Sequence, residues 1–168
     1  MIGEIIDGEI HTQPRPSRKH NQAASVLNGE LHEPYRYGRG GPGGWIILFE
    51  AEVSFGENIL VPDLAGWKAE RLPDEQDHNW IDVIPDWVCE VISPSTAKID
   101  RTKKMSLYGV YEVPYVWLID PNTKTLEAFK LQEGKWMLLG SYADEEEVSI
   151  EPFSELKLKL SRLWGGIK

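Results

Sequence analysis

Two acidic residues, Asp63 and Glu90, interrupt otherwise apolar stretches that have the composition of strands. Burying a carboxylate is costly unless it is paired or binds a metal. Carboxylates from adjacent strands can converge on one hard cation, and Mg²⁺ suits such a pair because it prefers oxygen ligands and keeps several waters. A bound metal would polarise a phosphoryl oxygen and supply a hydroxide nucleophile. The two acids therefore predict metal-assisted hydrolysis of a phosphoester.

Two consecutive lysines, Lys103 and Lys104, follow in a predicted helix. A lysine near the acids would stabilise the charge that develops on the phosphorane or would orient the attacking water. Helical spacing does not choose between them, because Lys104 shares a face with Tyr108 and Lys103 shares one with Leu107. The residues alone also leave open a second interpretation, in which the two acids are structural salt-bridge partners.

Other chemistries find less support in the sequence. The only cysteine, Cys89, cannot form a zinc site with histidines that lack metal-ligand spacing, and no GxSxG motif is present. The glycine-rich segment 34–44 lacks the GKS or GKT of a nucleotide-binding loop. The sequence leaves open whether Arg36 and Arg39 of this segment bind phosphate on a flexible arm or belong to a plain surface loop.

The elements that must position these residues begin with a strand, a helix and a second strand. Residues 87–92 and 115–119 form apolar runs, and a helix is predicted from Asp100, as N-cap, to about Glu112, before Pro114. Such a unit predicts a parallel strand pair with the helix across one face of the sheet.

A second helix is predicted over residues 18–31, with Ser17 as its N-cap. Its apolar stripe includes Ala23, Leu27 and Leu31, and His20 lies on the flank of this stripe. We interpret His20 as a surface or half-buried histidine, with contact to a substrate as the alternative.

The remaining patterns predict strands and turns. Residues 4–10 form a strand with a turn at Asp7-Gly8, residues 45–55 pair with 59–67 as a hairpin, and residues 126–131 pair with 136–142. Residues 68–82 form a polar excursion. Residues 152–163 fit either a strand or a short helix.

The chain has 168 residues, of which 41% are hydrophobic and seven are tryptophan, and we expect one domain over residues 1–168. A single cysteine excludes a disulfide framework and favours a cytoplasmic location. No apolar run approaches the roughly 20 residues of a membrane span, so no membrane partner is expected. The net charge of −9 weighs against broad nonspecific binding of nucleic acid but permits a local basic track.

Several segments together resemble one family. They are EIIDGEI, SRKHNQAAS, RGGPGGW, VPDLAGW, PDWVCEVISPST, DRTKKMSLY and VWLIDP, and they span nearly the whole chain. With these segments the chain resembles the Uma-type restriction endonucleases of bacteria, within the PD-(D/E)XK nuclease superfamily. The resemblance implies an α/β (α+β) fold with a restriction-endonuclease-like core, in which helices flank a mixed central sheet.

The resemblance also assigns site residues. Asp63 is similar to the superfamily's Pro-Asp aspartate and Glu90 to its strand acid, which makes both of them metal ligands and catalytic residues. The superfamily's usual lysine position holds Ile92, and the family pattern moves the catalytic lysine into the next helix, at Lys104. Glu52 matches a recurring family acid and is a secondary candidate for the metal shell.

His20 is a further secondary candidate, while Phe49 departs from the family pattern, which tends to have an acid there. The resemblance implies an endonuclease that hydrolyses DNA phosphodiesters with Mg²⁺, or Mn²⁺, and acts as a homodimer. The missing strand lysine and the acidic balance support an alternative, a catalytically idle nuclease-fold module that binds nucleic acid or a partner protein.

Overall fold

The computed structural model describes residues 1–74 and 77–168. Glu75 and Gln76, which belong to the predicted polar excursion, lie outside the described residues. In chain order, the strands are β1 (Ile2–Ile6), β2 (Glu9–Gln13), β3 (Trp45–Phe49), β4 (Val53–Phe55), β5 (Asn58–Leu60), β6 (Leu64–Lys68), β7 (Trp87–Val91), β8 (Tyr115–Asp120), β9 (Thr125–Gln132), β10 (Lys135–Ala143), β11 (Glu147–Ile150) and β12 (Phe153–Lys159). The α-helical segments are α1 (Arg18–Leu31), α2 (Ala97–Ile99) and α3 (Met105–Val110).

Six strands form a large mixed sheet in the order β10-β9-β8-β7-β6-β3. Strands β7 and β8 are parallel, whereas the other neighbouring pairs are antiparallel. A parallel pair needs a connection that crosses the sheet, and the helical residues 97–110 supply it. The predicted strand–helix–strand unit and mixed sheet are confirmed.

Helix α1 covers one face of this sheet. Ser17 is its N-cap, as predicted, and accepts a hydrogen bond through its Oγ from the backbone N–H of His20 at 3.2 Å. The buried stripe Ala23, Leu27 and Leu31 belongs to the same core as the odd-numbered residues of β7. Because successive strand residues point to opposite faces, Glu90 faces away from α1.

The opposite face of the sheet packs against the helical residues 97–110. Here α2 and α3 are joined without a break by a π-helical turn, Asp100–Lys104. Met105 and Tyr108 share a core with Val88 of β7. The predicted N-cap at Asp100 is wrong, because the helix begins after Thr96 and Asp100 lies inside it, buried. The side chain of Asp100 is thus available to the site rather than to the helix end.

A smaller sheet, in the order β2-β1-β5-β4, packs beside the large one. The hairpin of β1 and β2 turns at Asp7 and Gly8, whose φ values are 51° and 79°. The turn falls where the sequence predicts it. Strand β1 pairs with β5 through Ile5 and Ile59, which brings the N-terminal hairpin alongside the middle of the chain.

The hairpin predicted from residues 45–55 and 59–67 is divided between the two sheets. Strand β3 pairs with β6 in the large sheet, while β4 pairs with β5 in the small one. The break comes at Glu50, which has a left-handed φ of 49°. The backbone N–H of Glu50 donates to the carbonyl of Asp63 at 3.2 Å. This break therefore puts Glu50 next to a predicted site residue.

The C-terminal third adds strands to the edge and a small β-ladder. The predicted hairpin of β9 and β10 is confirmed, with its turn at Glu133 and Gly134. Residues 152–163 contain both candidate structures, β12 followed by the 3-10 helix Leu160–Trp164. Strand β11, which pairs with β12, was not predicted. Among residues 1–74 and 77–168, no helix has the length and apolar character needed to cross a membrane.

Candidate active site

Asp63 precedes the first residue of β6 and lies beside the end of β7. Its Oδ2 accepts a hydrogen bond from the backbone N–H of Val91 at 2.7 Å. The side chain of Asp63 thus replaces a backbone carbonyl where the ladder between the two strands stops. Its Oδ1 lies 3.0 Å from Nε2 of His20 on α1. We call His20 and Asp63 the strand-end pair, and their side chains are 14% and 16% exposed.

Glu90 lies on the face of β7 that points away from α1, within a group of buried polar side chains. Its Oε1 lies 2.6 Å from Lys104 Nζ and accepts a hydrogen bond from the Tyr108 hydroxyl at 2.5 Å. The same ammonium lies 2.8 Å from Glu4 Oε1 and 3.6 Å from Asp100 Oδ1. We call these five residues the buried charge cluster, because none exposes more than 2% of its surface.

The two neighbouring lysines have opposite environments. The Lys104 ammonium is 2.6 Å from Glu90, whereas Lys103 is exposed to solvent. The π-helical turn positions Lys104 four residues after Asp100, on the face that packs against β7. The structure thus brings Lys104 and Glu90 together, as the family resemblance implies. The catalytic role of Lys104 stays a prediction.

Glu4, from β1, is a member of the cluster that sequence reasoning missed. Its Oε1 accepts from the Val61 N–H at 2.8 Å as well as from Lys104, and its Oε2 accepts from Gln13 Nε2 at 2.9 Å. One signal was present in the sequence, since Glu4 shares the inward face of β1 with Ile6 and both are fully buried. An acid on the apolar side of a strand indicates a buried partner.

The buried charge cluster has an excess of negative charge. Burial raises the pKa of the Glu90 carboxyl well above its ordinary value, the Lys104 ammonium opposes this, and the charges of Asp100 and Asp63 add to it. Burial likewise raises the pKa of Asp100. Burial works to lower the pKa of Lys104, but the facing carboxylates outweigh it and the pKa is raised. The ammonium therefore stays charged.

The strand-end pair is also electrostatically coupled. Burial works to lower the pKa of His20, but its hydrogen bond to Asp63 and the charge of that carboxylate outweigh burial and raise the pKa. Asp100 and Glu50 raise it further. The imidazole consequently holds its proton to higher pH than a free histidine does.

The strand-end pair opens onto a cavity of about 630 Å³. Beside His20, Asp63 and Glu50, its wall carries three cations and several hydroxyl groups, from Arg15, Arg18, Lys19, Ser17, Ser93, Ser95 and Thr96. We call it the basic cavity. A chain with a net charge of −9 thus presents a local group of cations next to Asp63, which is the local basic track that the sequence permits.

A second cavity, of about 290 Å³, shares His20, Glu50 and Asp63 with the first. Its other walls are uncharged and come from Asn21, Ala24, Ser25, Asn28 and Phe49. We call it the aromatic cavity. Asp63 therefore lies between a cavity with three cations on its wall and one whose remaining walls are uncharged.

Glu52 is the glutamate predicted for the metal shell, but the structure brings Glu50, which the sequence analysis did not single out, to the cavities. Glu52 is exposed and is not among the residues that line either cavity. The left-handed backbone at Glu50 turns the chain after β3, and this turn decides which acid lies beside Asp63. The sequence could not reveal this, because a left-handed glutamate leaves no compositional signal.

Asp86, of the Pro85-Asp86 dipeptide, has a structural role. Its Oδ2 accepts from the Lys68 N–H at 2.8 Å and its Oδ1 lies 2.7 Å from Arg71 Nη1. These contacts tie the start of β7 to the end of β6. Asp86 is therefore a natural control for substitutions of Asp63.

The described residues contain no ready cluster of metal ligands. Among the described residues, no group of three or more His, Cys, Asp or Glu side chains is arranged to hold a metal ion. Mg²⁺ in phosphate-processing sites is commonly held by one or two carboxylates together with substrate phosphate and water. The hard oxygens of Asp63 and Glu90 have the donor chemistry for such a site.

Two comparisons with known proteins bear on the family and the fold of the chain. A family model named Uma2 and described as "Putative restriction endonuclease" matches residues 3–161. The chain is also similar to the crystal structure of "a putative nuclease belonging to DUF820" from Anabaena variabilis, with 25% identity and a TM-score of 0.80, over 96% of this chain and 89% of that one. No curated protein matches the chain. The resemblance and the α+β fold class expected from the sequence are confirmed.

Proposed function

Since this chain belongs to the Uma2 family, described as restriction endonucleases, we propose that it is an endonuclease that hydrolyses DNA phosphodiester bonds with Mg²⁺ or Mn²⁺. The observation that carries the proposal is the buried contact of 2.6 Å between Lys104 and Glu90, on the strand whose end binds Asp63. A lysine beside a strand acid, with a Pro-Asp aspartate on the adjacent strand, is the arrangement that the resemblance implies.

Asp63 and Glu90 are the proposed metal ligands. When bound, Mg²⁺ would polarise the scissile phosphoryl group and lower the pKa of a coordinated water. The environment of Glu90 supports the assignment, because burial and the charges of Asp100 and Asp63 raise the pKa of this carboxyl and a divalent cation would stabilise its charged form. Glu50, which lines both cavities, is proposed as an additional oxygen ligand in place of Glu52.

The protein's own side chains divide the remaining work. Arg15, Arg18 and Lys19 on the wall of the basic cavity would bind backbone phosphates on one side of Asp63. Lys104 would stabilise the charge that develops on the phosphoryl oxygens, and Glu4 holds its ammonium within reach of Glu90. His20 orients the Asp63 carboxylate through their contact of 3.0 Å.

The alternative, an idle nuclease-fold module that binds nucleic acid or a partner protein, is favoured by one specific feature. The Lys104 ammonium already neutralises the carboxylate that a metal would need, and it contacts Glu4 and Asp100 as well. In an idle module these contacts would be purely structural. Such a protein would bind DNA through the basic cavity without cleaving it.

A cleavage assay on supercoiled plasmid and on single-stranded DNA, with Mg²⁺, Mn²⁺ or EDTA, tests the proposal. We expect wild-type protein to cleave with either metal and not with EDTA. Asp63→Asn and Glu90→Gln should each lower the rate at least about 100-fold, because a neutral amide is a poor ligand for a hard cation. Asp86→Asn, which changes the structural Pro-Asp dipeptide, should retain cleavage.

A wild type that binds plasmid but cleaves it with neither metal would contradict the enzymatic proposal and support the idle module. Loss of cleavage in Asp86→Asn equal to that in Asp63→Asn would indicate a folding defect rather than a lost ligand, and thermal melts of both variants would identify it. The homodimer implied by the resemblance is a separate proposal, which light scattering would check.

A further inference from the structure

We propose that the aromatic cavity binds an unpaired nucleobase adjacent to the scissile phosphate. This inference rests on the proposed function, because it takes Asp63 as the position of the reacting phosphate. The cavity measures about 290 Å³ and shares His20, Glu50 and Asp63 with the basic cavity. A ligand that spans both cavities would therefore pass directly over Asp63.

The charges of the two cavities differ, and this difference selects the parts of a nucleotide that each can bind. The basic cavity has Arg15, Arg18 and Lys19 on its wall, which suit phosphate. Apart from the three residues that both cavities share, the aromatic cavity has no ionisable side chain. A phosphate would lose its hydration there beside the carboxylates of Glu50 and Asp63, and the one cationic group, His20, is already paired with Asp63. An uncharged base avoids this repulsion.

Phe49 supplies a stacking surface at this cavity. It is the last residue of β3 and remains 67% exposed, although it pairs with the buried Leu64 across the ladder. The left-handed backbone of Glu50 turns the chain away immediately after it. Aromatic side chains stack on the faces of unpaired bases largely without regard to sequence. An exposed phenylalanine beside Asp63 therefore fits a base that flanks the reacting phosphate.

Two polar side chains of the cavity, Asn28 and His20, each have a buried atom without a hydrogen-bond partner among the described residues. The two atoms are Oδ1 of Asn28 and Nδ1 of His20. Buried polar atoms normally have a partner. Turning the Asn28 amide towards a ligand would break no hydrogen bond made by its oxygen. A base edge offers both donors and acceptors, and asparagine pairs well with such an edge.

The base must be unpaired for geometric reasons. A base within a duplex is stacked on both faces and its Watson–Crick edge is occupied, so it cannot offer a face to Phe49 and an edge to Asn28 together. A base in single-stranded DNA, or one extruded from a duplex, can do both. We therefore expect preference for a substrate with unpaired nucleotides beside the cleaved bond.

The test measures binding of a fluorescent single-stranded oligonucleotide by anisotropy, with EDTA present so that no cleavage occurs. The same strand carrying abasic sites in place of its bases serves as the second probe. Wild-type protein should bind the intact strand about 10-fold more tightly than the abasic strand. Phe49→Ala should weaken binding of the intact strand by a similar factor and remove this discrimination. Phe49→Trp should restore it.

The matched control is Tyr37→Ala, which removes another exposed aromatic side chain, one that does not line this cavity. Tyr37→Ala should bind both strands as the wild type does. Asn28→Ala should lower the affinity for the intact strand and leave the affinity for the abasic strand unchanged.

Equal binding of the intact and abasic strands by the wild type would overturn the inference, as would equal losses in Phe49→Ala and Tyr37→Ala. A wild type that binds neither strand would overturn it too. Cleavage without base discrimination would reject this inference alone. Discrimination without cleavage, in any metal, would reject the proposed nuclease activity and keep the base-binding site.

Discussion

The middle and the end of β7 hold ionisable groups in contrasting ways. Against the middle of the strand, the buried charge cluster of Glu4, Glu90, Asp100, Lys104 and Tyr108 is almost fully buried. At the end of the strand, the pair of His20 and Asp63 is partly exposed and lines two cavities. Both contain a candidate metal ligand. The comparison separates groups that are held by buried partners from groups that solvent reaches.

Burial explains this division of roles. In the cluster, the removal of one partner leaves a charge without water or counter-charge, so each member is costly to change. At the strand-end pair, water can replace a lost partner, so substitutions there act mainly on function. Substitutions in the cluster should therefore lower stability more than substitutions of the strand-end pair, which should act mainly on activity.

The largest effect on stability is expected from Lys104→Met. The three carboxylates around its ammonium would lose their only cation within the cluster, and we expect the free energy of unfolding to fall by about 3–5 kcal/mol. Chemical denaturation would measure the change. The control is Lys103→Met, whose side chain is exposed, and its effect should stay within about 0.5 kcal/mol. Equal effects of the two substitutions would contradict the assignment of Lys104 to the cluster.

Tyr108→Phe should have the next largest effect. It removes the hydroxyl that donates to Glu90 at 2.5 Å and leaves a buried carboxylate with one donor fewer, which we expect to cost about 1–3 kcal/mol. Tyr111→Phe is the matched control, since Tyr111 is only partly buried at the edge of the same core. If the two phenylalanine variants unfold at the same denaturant concentration, the hydrogen bond to Glu90 has no net stabilising effect.

Asp63→Asn should change stability by less than about 1 kcal/mol while it eliminates cleavage. The amide oxygen can still accept from the Val91 N–H, and the lost attraction to His20 is offset by less repulsion of Glu90. Thermal melts with and without Mg²⁺ would measure both properties. We expect Mg²⁺ to raise the Tm of the wild type and not that of the variant. A variant that is much less stable without metal would place Asp63 among the structural residues.

The smallest effect concerns pH. Because the pKa of His20 is raised in the folded protein, the stabilisation by its protonated form is complete below the pKa of the unfolded chain and is lost as pH rises through the folded value. The Tm difference between the wild type and His20→Asn should therefore be about 2 °C larger at pH 6 than at pH 8. A difference that grows with pH instead would mean that the neutral imidazole is the form stabilised by Asp63.

The sequence by itself determined the local elements and the identity of the two acids. The N-cap at Ser17 and the stripe at Ala23, Leu27 and Leu31 specify α1, because capping and helical spacing act within a few residues. The strand–helix–strand pattern specified the parallel β7–β8 pair, because two strands joined by a helical crossover run in the same direction. Acids in apolar strands pointed to Asp63 and Glu90, since burial of a carboxylate demands a partner wherever it occurs.

Only the tertiary structure decided which groups meet those acids. Glu4 reaches Lys104 across 100 positions of the chain, and the alternation within β1 does not reveal the sheet or helix that it will face. Glu50 rather than Glu52 lies beside Asp63 because of one left-handed residue. Asp100 faces Lys104 from inside the helix because the N-cap is Thr96, four residues before the predicted one. Local sequence patterns fix the backbone over short distances, whereas the partners of a buried charge depend on contacts between distant segments.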